Sequence, residues 1–451
     1  MEKIVRSHII EHMYSNNLFT TKQYGFMSGR STSLQLLNVL DKWSEALDNG
    51  NEIDCVYMDY KKAFDTVPHN RLLCKLKSYG INLNVIEWIQ SFLIGRVQHV
   101  QVNNSSSEWA PVISGIPQGS VLGPTLFIIY ISDLPDLVSS DLYLFADDTK
   151  IFSINPKSTQ PSVLQNDLDK LTIWSNTWLL QFHPEKCHHL HVGKNHPSHS
   201  LSLLGSNLNQ VDEEKDLGVI FDNRLSFENH IYAKVKKANQ MNGLIRRSFR
   251  HLDIPTFLPL YKSLVRTHLD YAASVYSPYK MKHVEAIESV QRRATKQIPG
   301  LKNLSYPERC KKLKLPTLAY RRVRGDLIEM FKITHHIYDT NACNFIHMWK
   351  DSSLRSSTRT NSLKIFPQQA NSILRRHSFQ LRVARTWNYL PDYIVNAPSL
   401  NSFKNRLDKF LDNHDLKYSD FKTTIQNWDI SAGRKISQDN LQDSESSIEE
   451  P

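Results

Sequence analysis

The sequence predicts a mixed α+β fold that gives way to helix toward the C-terminus. Three observations predict it: apolar runs rich in strand formers at Ile53–Met58, Leu142–Ala146 and Thr149–Ile154; helical apolar periods between them; and a predominantly helical, basic pattern from His230 onward. The chain has 451 residues, and single cores stop growing near roughly 250 to 300 residues, so two or three domains are expected.

Helical apolar spacing runs over Ile4–Leu18 and more strongly over Thr32–Leu47, where Leu34, Leu37, Leu40, Trp43 and Leu47 share a face; the stretch around Gly25 and Gly29 between them reads as a loop. The Ile53–Met58 strand leads through Val67-Pro68 into a helix pattern over Asn70–Tyr79 that stops at Gly80. Val97–Val102 alternates like a strand, with Asn103–Ser107 as its turn. Leu142–Ala146 and Thr149–Ile154 flank Asp147-Asp148, which predicts a hairpin with two carboxylates at its tip. Asn166–Trp178 returns to helical period, and Val211–Leu225 reads as a second short hairpin.

Lys and Arg number 55 against 45 Asp and Glu, a formal charge of +10, although the end of the chain (Asp439, Asp443, Glu445, Glu449, Glu450) is acidic. A basic body fits a polyanionic partner, because Lys and Arg neutralise phosphates and release counterions. The five cysteines (Cys55, Cys74, Cys187, Cys310, Cys343) form no C-x-x-C pair, so neither a disulfide framework nor a cysteine-rich zinc module is indicated. The most apolar run, Val121–Ile131, is too short to span a bilayer, and Met1–Ile10 lacks a signal-peptide core. The expectation is a soluble intracellular protein of nucleus or cytoplasm, with no membrane partner and no small-molecule cofactor.

Two-metal phosphoryl transfer needs carboxylates from separate segments converging on divalent ions, and hard oxygen ligands suit Mg²⁺. The candidates are Asp59, ending an apolar strand, and Asp147 with Asp148 at the hairpin tip. Taken alone, an Asp-Asp pair reads far more often as a polar turn. The segments Val56-Tyr57-Met58-Asp59-Tyr60-Lys61-Lys62-Ala63-Phe64-Asp65, Ser114-Gly115-Ile116-Pro117-Gln118-Gly119 and Phe145-Ala146-Asp147-Asp148 resemble, in order and spacing, three successive motifs of reverse transcriptases. Tyr24-Gly25-Phe26 with Gly29-Arg30-Ser31-Thr32 is similar to the fingers motif of jockey-like and chicken-repeat-like non-LTR elements, and Leu217-Gly218-Val219-Ile220-Phe221-Asp222 to their primer-grip hairpin. Arg385–Pro391 and Ser399–Lys404 resemble the end of that family's polyprotein.

The resemblance implies a right-hand polymerase palm, an antiparallel sheet with helices, with partial fingers over residues 1–205. A primer-grip hairpin and helical thumb would follow over 206–300, a C-terminal helical region over 301–430, and a disordered acidic tail over 431–451. It implies an RNA-directed DNA polymerase that uses two Mg²⁺ ions, or Mn²⁺ as a substitute, with an RNA template, a DNA primer and dNTP. Asp59 and Asp147 would be the principal metal ligands, with Asp148 in support and the Tyr60 carbonyl as an extra ligand. Phe64, beside Ala63, matches the aromatic gate that excludes a ribose 2′-hydroxyl, and a plain core aromatic is its alternative. Gln118 and Gly119 match the segment against the nucleotide and template. Lys186 aligns with the lysine that protonates leaving pyrophosphate, and a solvated surface lysine is its alternative.

Arg30 would contact nucleic acid through the fingers motif, and Lys234, Lys236, Lys237, Arg246 and Arg247, with Arg250, Arg292, Arg293 and Lys296 downstream, would form the thumb's backbone grip. His183, Cys187, His188, His189 and His191 suggest zinc by composition, but alternation along a strand would scatter them onto both faces. Nothing reads as an RNase H domain or as a G-x-x-x-x-G-K loop. The family's endonuclease and first fingers strand are not seen ahead of Met1, and Met27 stands where a basic residue is usual. The sequence therefore reads as a 5′-truncated copy, with a catalytically silent nucleic-acid-binding remnant as the alternative to a working polymerase.

Overall fold

The structure, a computed structural model, describes residues 1–156, 162–193, 200–249, 251–349, 363–412 and 417–418. The expected acidic tail over 431–451 and Arg250 lie outside the described residues. The chain divides into two compact units, Met1–Ser226 with Tyr338–Cys343, and Phe227–Ile337 with Asn344–Pro451.

The first unit is built on a five-stranded sheet in the order Asn209–Val211, His188–Val192, Glu52–Met58, Asp148–Asn155, Asp141–Phe145. The first pair is parallel and the others antiparallel. Glu52–Met58 sits in the middle and is buried on both faces, its Asp54 carboxylate paired with His189 and His191 of the neighbouring strand. Val56 and Met58, with Leu142, Leu144 and Ile151, bury one face against the helices His69–Ser78, Gly123–Tyr130 and Ser162–Trp178. The most apolar run of the sequence is the Gly123–Tyr130 helix, buried on every side. The N-terminal helix Glu2–Ser15 joins the same core through Val5, Ile9 and Met13, spaced four apart as a helix face requires.

The opposite sheet face meets the Thr32–Asp48 helix, which is capped by the Ser31 side chain on the Leu34 N–H. Its burial goes beyond the single apolar face expected. Trp43 packs edge-on against Phe152 and Phe221, while Gln35 and Asn38 are also buried, bonding the Leu144 carbonyl and Tyr24 Oη.

The run expected as one strand over Val97–Val102 is instead two short ladders, Val97–Gln98 with Ala110–Pro111 and Gln101–Val102 with Ser105–Ser106. Asn103 and Asn104 turn between them at φ 46° and 68°. Their exposed residues have no core face to hold a longer ladder. The second hairpin pairs Glu213–Asp216 with Val219–Asp222 across Leu217 and Gly218, whose φ of 44° and 84° match the positive-φ turn that strand twist favours.

The second hairpin belongs to the first unit, tied by Phe221 on Trp43 and by an Asp216–Lys150 ion pair. The helices expected to form a separate thumb share one unit with the C-terminal region. There Leu318–Thr334 packs against Met281–Thr295, Phe379–Tyr389 and Leu400–Phe410, with Phe331 stacked on Phe403 at 4.2 Å. Among the described residues, no helix is long and apolar enough to cross a membrane.

Candidate active site

Strand register brings the acids together. Met58 pairs with Thr149, so the next step along each strand sets Asp59 opposite Asp148. Phe145 pairs with Asp148, leaving Ala146 and Asp147 as the two-residue turn of that hairpin, with Ala146 at φ 56°. On the other side of Asp59, its carbonyl accepts from the His183 N–H at 2.8 Å and its N–H donates to Cys187 Sγ at 3.4 Å. That link places the Pro184–Lys186 turn beside it, and Lys186 Nζ lies 3.4 Å from Asp59 Oδ2. The pair is open to solvent, with side chains 61% and 46% exposed, so its worth to stability is small.

Burial raises the Asp147 carboxyl above its usual pKa, and the nearby Asp59 charge adds to this. Asp148 is pushed up to about 6, first by burial and then by Asp147, Asp216 and Asp59, against the lowering pull of Lys150. Asp147 and Asp148 thus ionise against the charge of neighbouring acids, which is how carboxylates behave at a site suited to divalent cations. Among the described residues, no three His, Cys, Asp or Glu side chains already converge as a metal cluster. Asp59, Asp148, Lys150, Lys186 and Asp216 line one cavity of about 190 Å³.

Three residues that the sequence did not single out support this site. Lys150 and Asp216 form a buried ion pair, 4% and 5% exposed, which anchors the second hairpin to the strand carrying Asp148. Lys150 lies two residues beyond Asp148, hence on the same strand face, and that spacing could have flagged it. Gln23 Oε1 accepts from the N–H of both Gly25 and Ala146, at 2.7 and 2.9 Å, and the Tyr24 N–H donates to the Leu144 carbonyl. The Tyr24-Gly25-Phe26 motif thus lies against the acid-bearing hairpin as a brace.

A Cβ added at Gly25 would sit 2.3 Å from the Ala146 nitrogen. Gly25→Ala is expected to cost about 2 kcal/mol of stability through overpacking, read as a lower denaturant midpoint; an unchanged midpoint would show that the brace is loose.

Ala63 is buried and Phe64 half-buried on the short Ala63–Thr66 helix, where the Phe64 ring stacks on Phe127 at 4.3 Å. Gln118 Nε2 donates to Asp65 Oδ1 at 2.9 Å. Gly115 holds φ 90° with space for no side chain, because a Cβ would fall 2.5 Å from the Asp65 carbonyl oxygen. Gly119, at φ 82°, stands in open space. Lys62, Asp65, Arg96 and Gln118 line a larger cleft of about 650 Å³. The Tyr60 side chain is buried and stacks on Phe182 at 4.6 Å.

Arg30 is placed otherwise than expected. Its guanidinium, 4% exposed, is paired with Asp339 at 2.7 Å and donates to the Thr21 and Gln23 carbonyls. Those contacts commit it to holding the fingers motif rather than to a phosphate. Lys236, Lys237, Arg246 and Arg247 are exposed on the Glu228–Ser248 helix of the second unit, while Lys234 is half-buried over the Tyr271 ring. The histidines of the His188–Val192 strand divide between its two faces. His189 and His191 share one buried face and both bond Asp54 at 2.9 Å, whereas His188 meets Glu214.

Residues 1–221 match the reverse transcriptase (RNA-dependent DNA polymerase) family. The chain is similar to that family over this segment, and to its jockey-like non-LTR members in particular. It is 30% identical over 316 residues to the RNA-directed DNA polymerase from mobile element jockey of Drosophila melanogaster, covering 65% of this chain and 34% of that protein. It is 29% identical to the probable RNA-directed DNA polymerase from transposon BS of the same species, covering 54% of this chain and 28% of that one. The chain thus spans about a third of the length of the curated relatives it matches. Apo telomerase from Candida tropicalis aligns at a TM-score of 0.40 and 11% identity, over 70% of this chain and 54% of that one. Reverse transcriptases in general depend on divalent metal ions.

Proposed function

We propose that this chain catalyses RNA-directed DNA synthesis, transferring a nucleotide from dNTP to the 3′-hydroxyl of a DNA primer on an RNA template. The observation that carries the proposal is the strand register that sets Asp59 opposite Asp148 with Asp147 next to it, where burial and neighbouring acids raise the pKa of Asp147 and Asp148. Its setting is inside the cell, where such an RNA is available, and its nucleic-acid grip draws on the exposed bases of the Glu228–Ser248 helix.

Asp59 and Asp147, with Asp148 in support and the Tyr60 carbonyl as a further oxygen, would hold two Mg²⁺ ions, or Mn²⁺ in their place. Bound there, such ions make the primer hydroxyl more acidic and neutralise charge on the phosphates. Lys186 presents its ammonium beside Asp59, where it donates a proton to the departing pyrophosphate. Phe64, its ring fixed by Phe127, sets a wall against a ribose 2′-hydroxyl. Gln118 is oriented by Asp65 toward the larger cleft, where the templating pair lies. The match of residues 1–221 to the reverse transcriptase family weighs against a catalytically silent remnant.

The test is dNTP incorporation by this chain on a primed RNA template with Mg²⁺ or Mn²⁺. Incorporation that EDTA stops supports the proposal, and none with either ion overturns it.

Cation affinity should also depend on pH. Asp148 titrates at about 6 and is a poor ligand when protonated, so Mn²⁺ affinity is expected to fall as pH drops through that value and to level off above about pH 7. Calorimetry at two pH values checks this, and a flat profile would remove Asp148 from the ligand set. In the cation-free chain the sign is opposite. A folded pKa raised above the ordinary 3.8 favours folding below that value, and the contribution is lost as pH rises through about 6.

A further inference from the structure

The Phe379–Tyr389 helix, which carries the Arg385–Pro391 motif, has no part in the proposed polymerase chemistry. It packs within the second unit against Leu318–Thr334, and a cavity of about 200 Å³ there is lined by Ser277, Arg322, Asp326, Arg382 and Thr386. The two arginines are in different states. Arg382 clamps Asp326 through Nε and Nη2 at 2.9 and 3.0 Å and reaches the Ser274 and His377 carbonyls, so both oxygens of Asp326 are in use.

Arg322 is only 8% exposed, lines the cavity, and makes no hydrogen bond or close ion pair among the described residues. The acid with the largest influence on it, Glu288, already accepts from Tyr306 Oη and from the N–H groups of Leu318 and Ala319. A buried guanidinium with five donors and no acceptor is costly. The cavity sets this group beside the Ser277 and Thr386 hydroxyls, with the Arg382–Asp326 pair and apolar side chains such as Val284, Leu327 and Val383 completing its walls.

We propose that this cavity is a phosphate site, in which Arg322 receives a phosphate-class oxyanion and Thr386 and Ser277 add hydroxyl donors. Arg has the donor geometry for such an oxyanion. The volume is ample for one phosphate group and lies below the roughly 300 Å³ at which pockets for larger organic ligands start. The phosphate can come free from solution or from the backbone of an RNA strand, and the chemistry at Arg322 is the same.

The test uses the full chain in chloride buffer at constant ionic strength. Inorganic phosphate is titrated by calorimetry, and separately a short single-stranded RNA with and without a 5′-phosphate. The expected result is saturable binding that weakens roughly tenfold or more in Arg322→Met, together with a phosphate-dependent rise in melting temperature that this variant loses. Binding of free phosphate assigns the small anion as the source. Binding of the RNA alone, lost in Arg322→Met, assigns the strand. Equal responses of wild type and Arg322→Met to both probes overturn the site and leave Arg322 as a distant counter-ion of Glu288. Should Arg322→Met fail to fold, Thr386→Val decides by the same isotherms: weaker binding supports the site and unchanged affinity overturns it.

Discussion

Asp59→Asn and Asp147→Asn are each expected to reduce deoxynucleotide incorporation at least about a thousandfold, roughly 4 kcal/mol of transition-state stabilisation, while leaving the chain folded. The size follows from what each change removes. An amide keeps the shape of the carboxyl but not the charge, so the cation that offsets charge on the reacting phosphates is lost or displaced. The intact fold follows from the electrostatics of the site. Asp147 and Asp148 ionise against burial and against their neighbours' charges, so neutralising one acid relieves repulsion. Asp59→Asn also gives up the Lys186 pair, but at 61% and 46% exposure that pair is worth at most about 1 kcal/mol. Primer extension measures the first effect and denaturant unfolding the second. Activity within tenfold of wild type would refute the assignment; a collapsed fold would recast the acids as structural.

Asp216→Ala is expected to destabilise the first unit by about 3 to 5 kcal/mol, because it strands the Lys150 ammonium in a buried position without a counter-ion. Replacing both partners together, Lys150→Met with Asp216→Leu, should recover most of that loss, since an apolar pair of similar size carries no desolvation penalty. A double-mutant cycle read by denaturant midpoints separates the coupling from the single effects. A cost below about 1 kcal/mol for Asp216→Ala would mean that water reaches the pair. The recovered double variant has a further use. The ion pair tethers the Leu217-Gly218 hairpin to the strand bearing Asp148, and Lys150 lowers the Asp148 pKa. Asp216 raises it more than Lys150 lowers it, so removing both charges should lower the pH at which the double variant begins to bind cation.

Much of the architecture is legible because period and register are local properties. The Glu52–Met58 strand and the Asp141–Phe145 and Asp148–Asn155 hairpin lie within a residue or two of where apolar alternation and turn chemistry put them. So do the Thr32–Asp48 and His69–Ser78 helices. A run of strand formers ending in Asp59 and a tight turn bearing Asp147 and Asp148 already imply exposed, rigidly held acids, and the spacing of the motifs implied the family.

What the sequence could not convey is which distant groups meet. Arg30 looked like a free cation because nothing near it in the chain announces Asp339, more than three hundred residues away, as its partner. The brace of Gln23 and Gly25 on Ala146, the Lys150–Asp216 pair and the bare guanidinium of Arg322 arise the same way. Such pairings are made by the folded backbone between residues that share no periodic pattern. The sequence by itself determined the strands, the carboxylates they carry and the family; only the tertiary structure decided which charges are buried, which are matched and which face a cavity, because burial and partnership depend on the packing of remote segments.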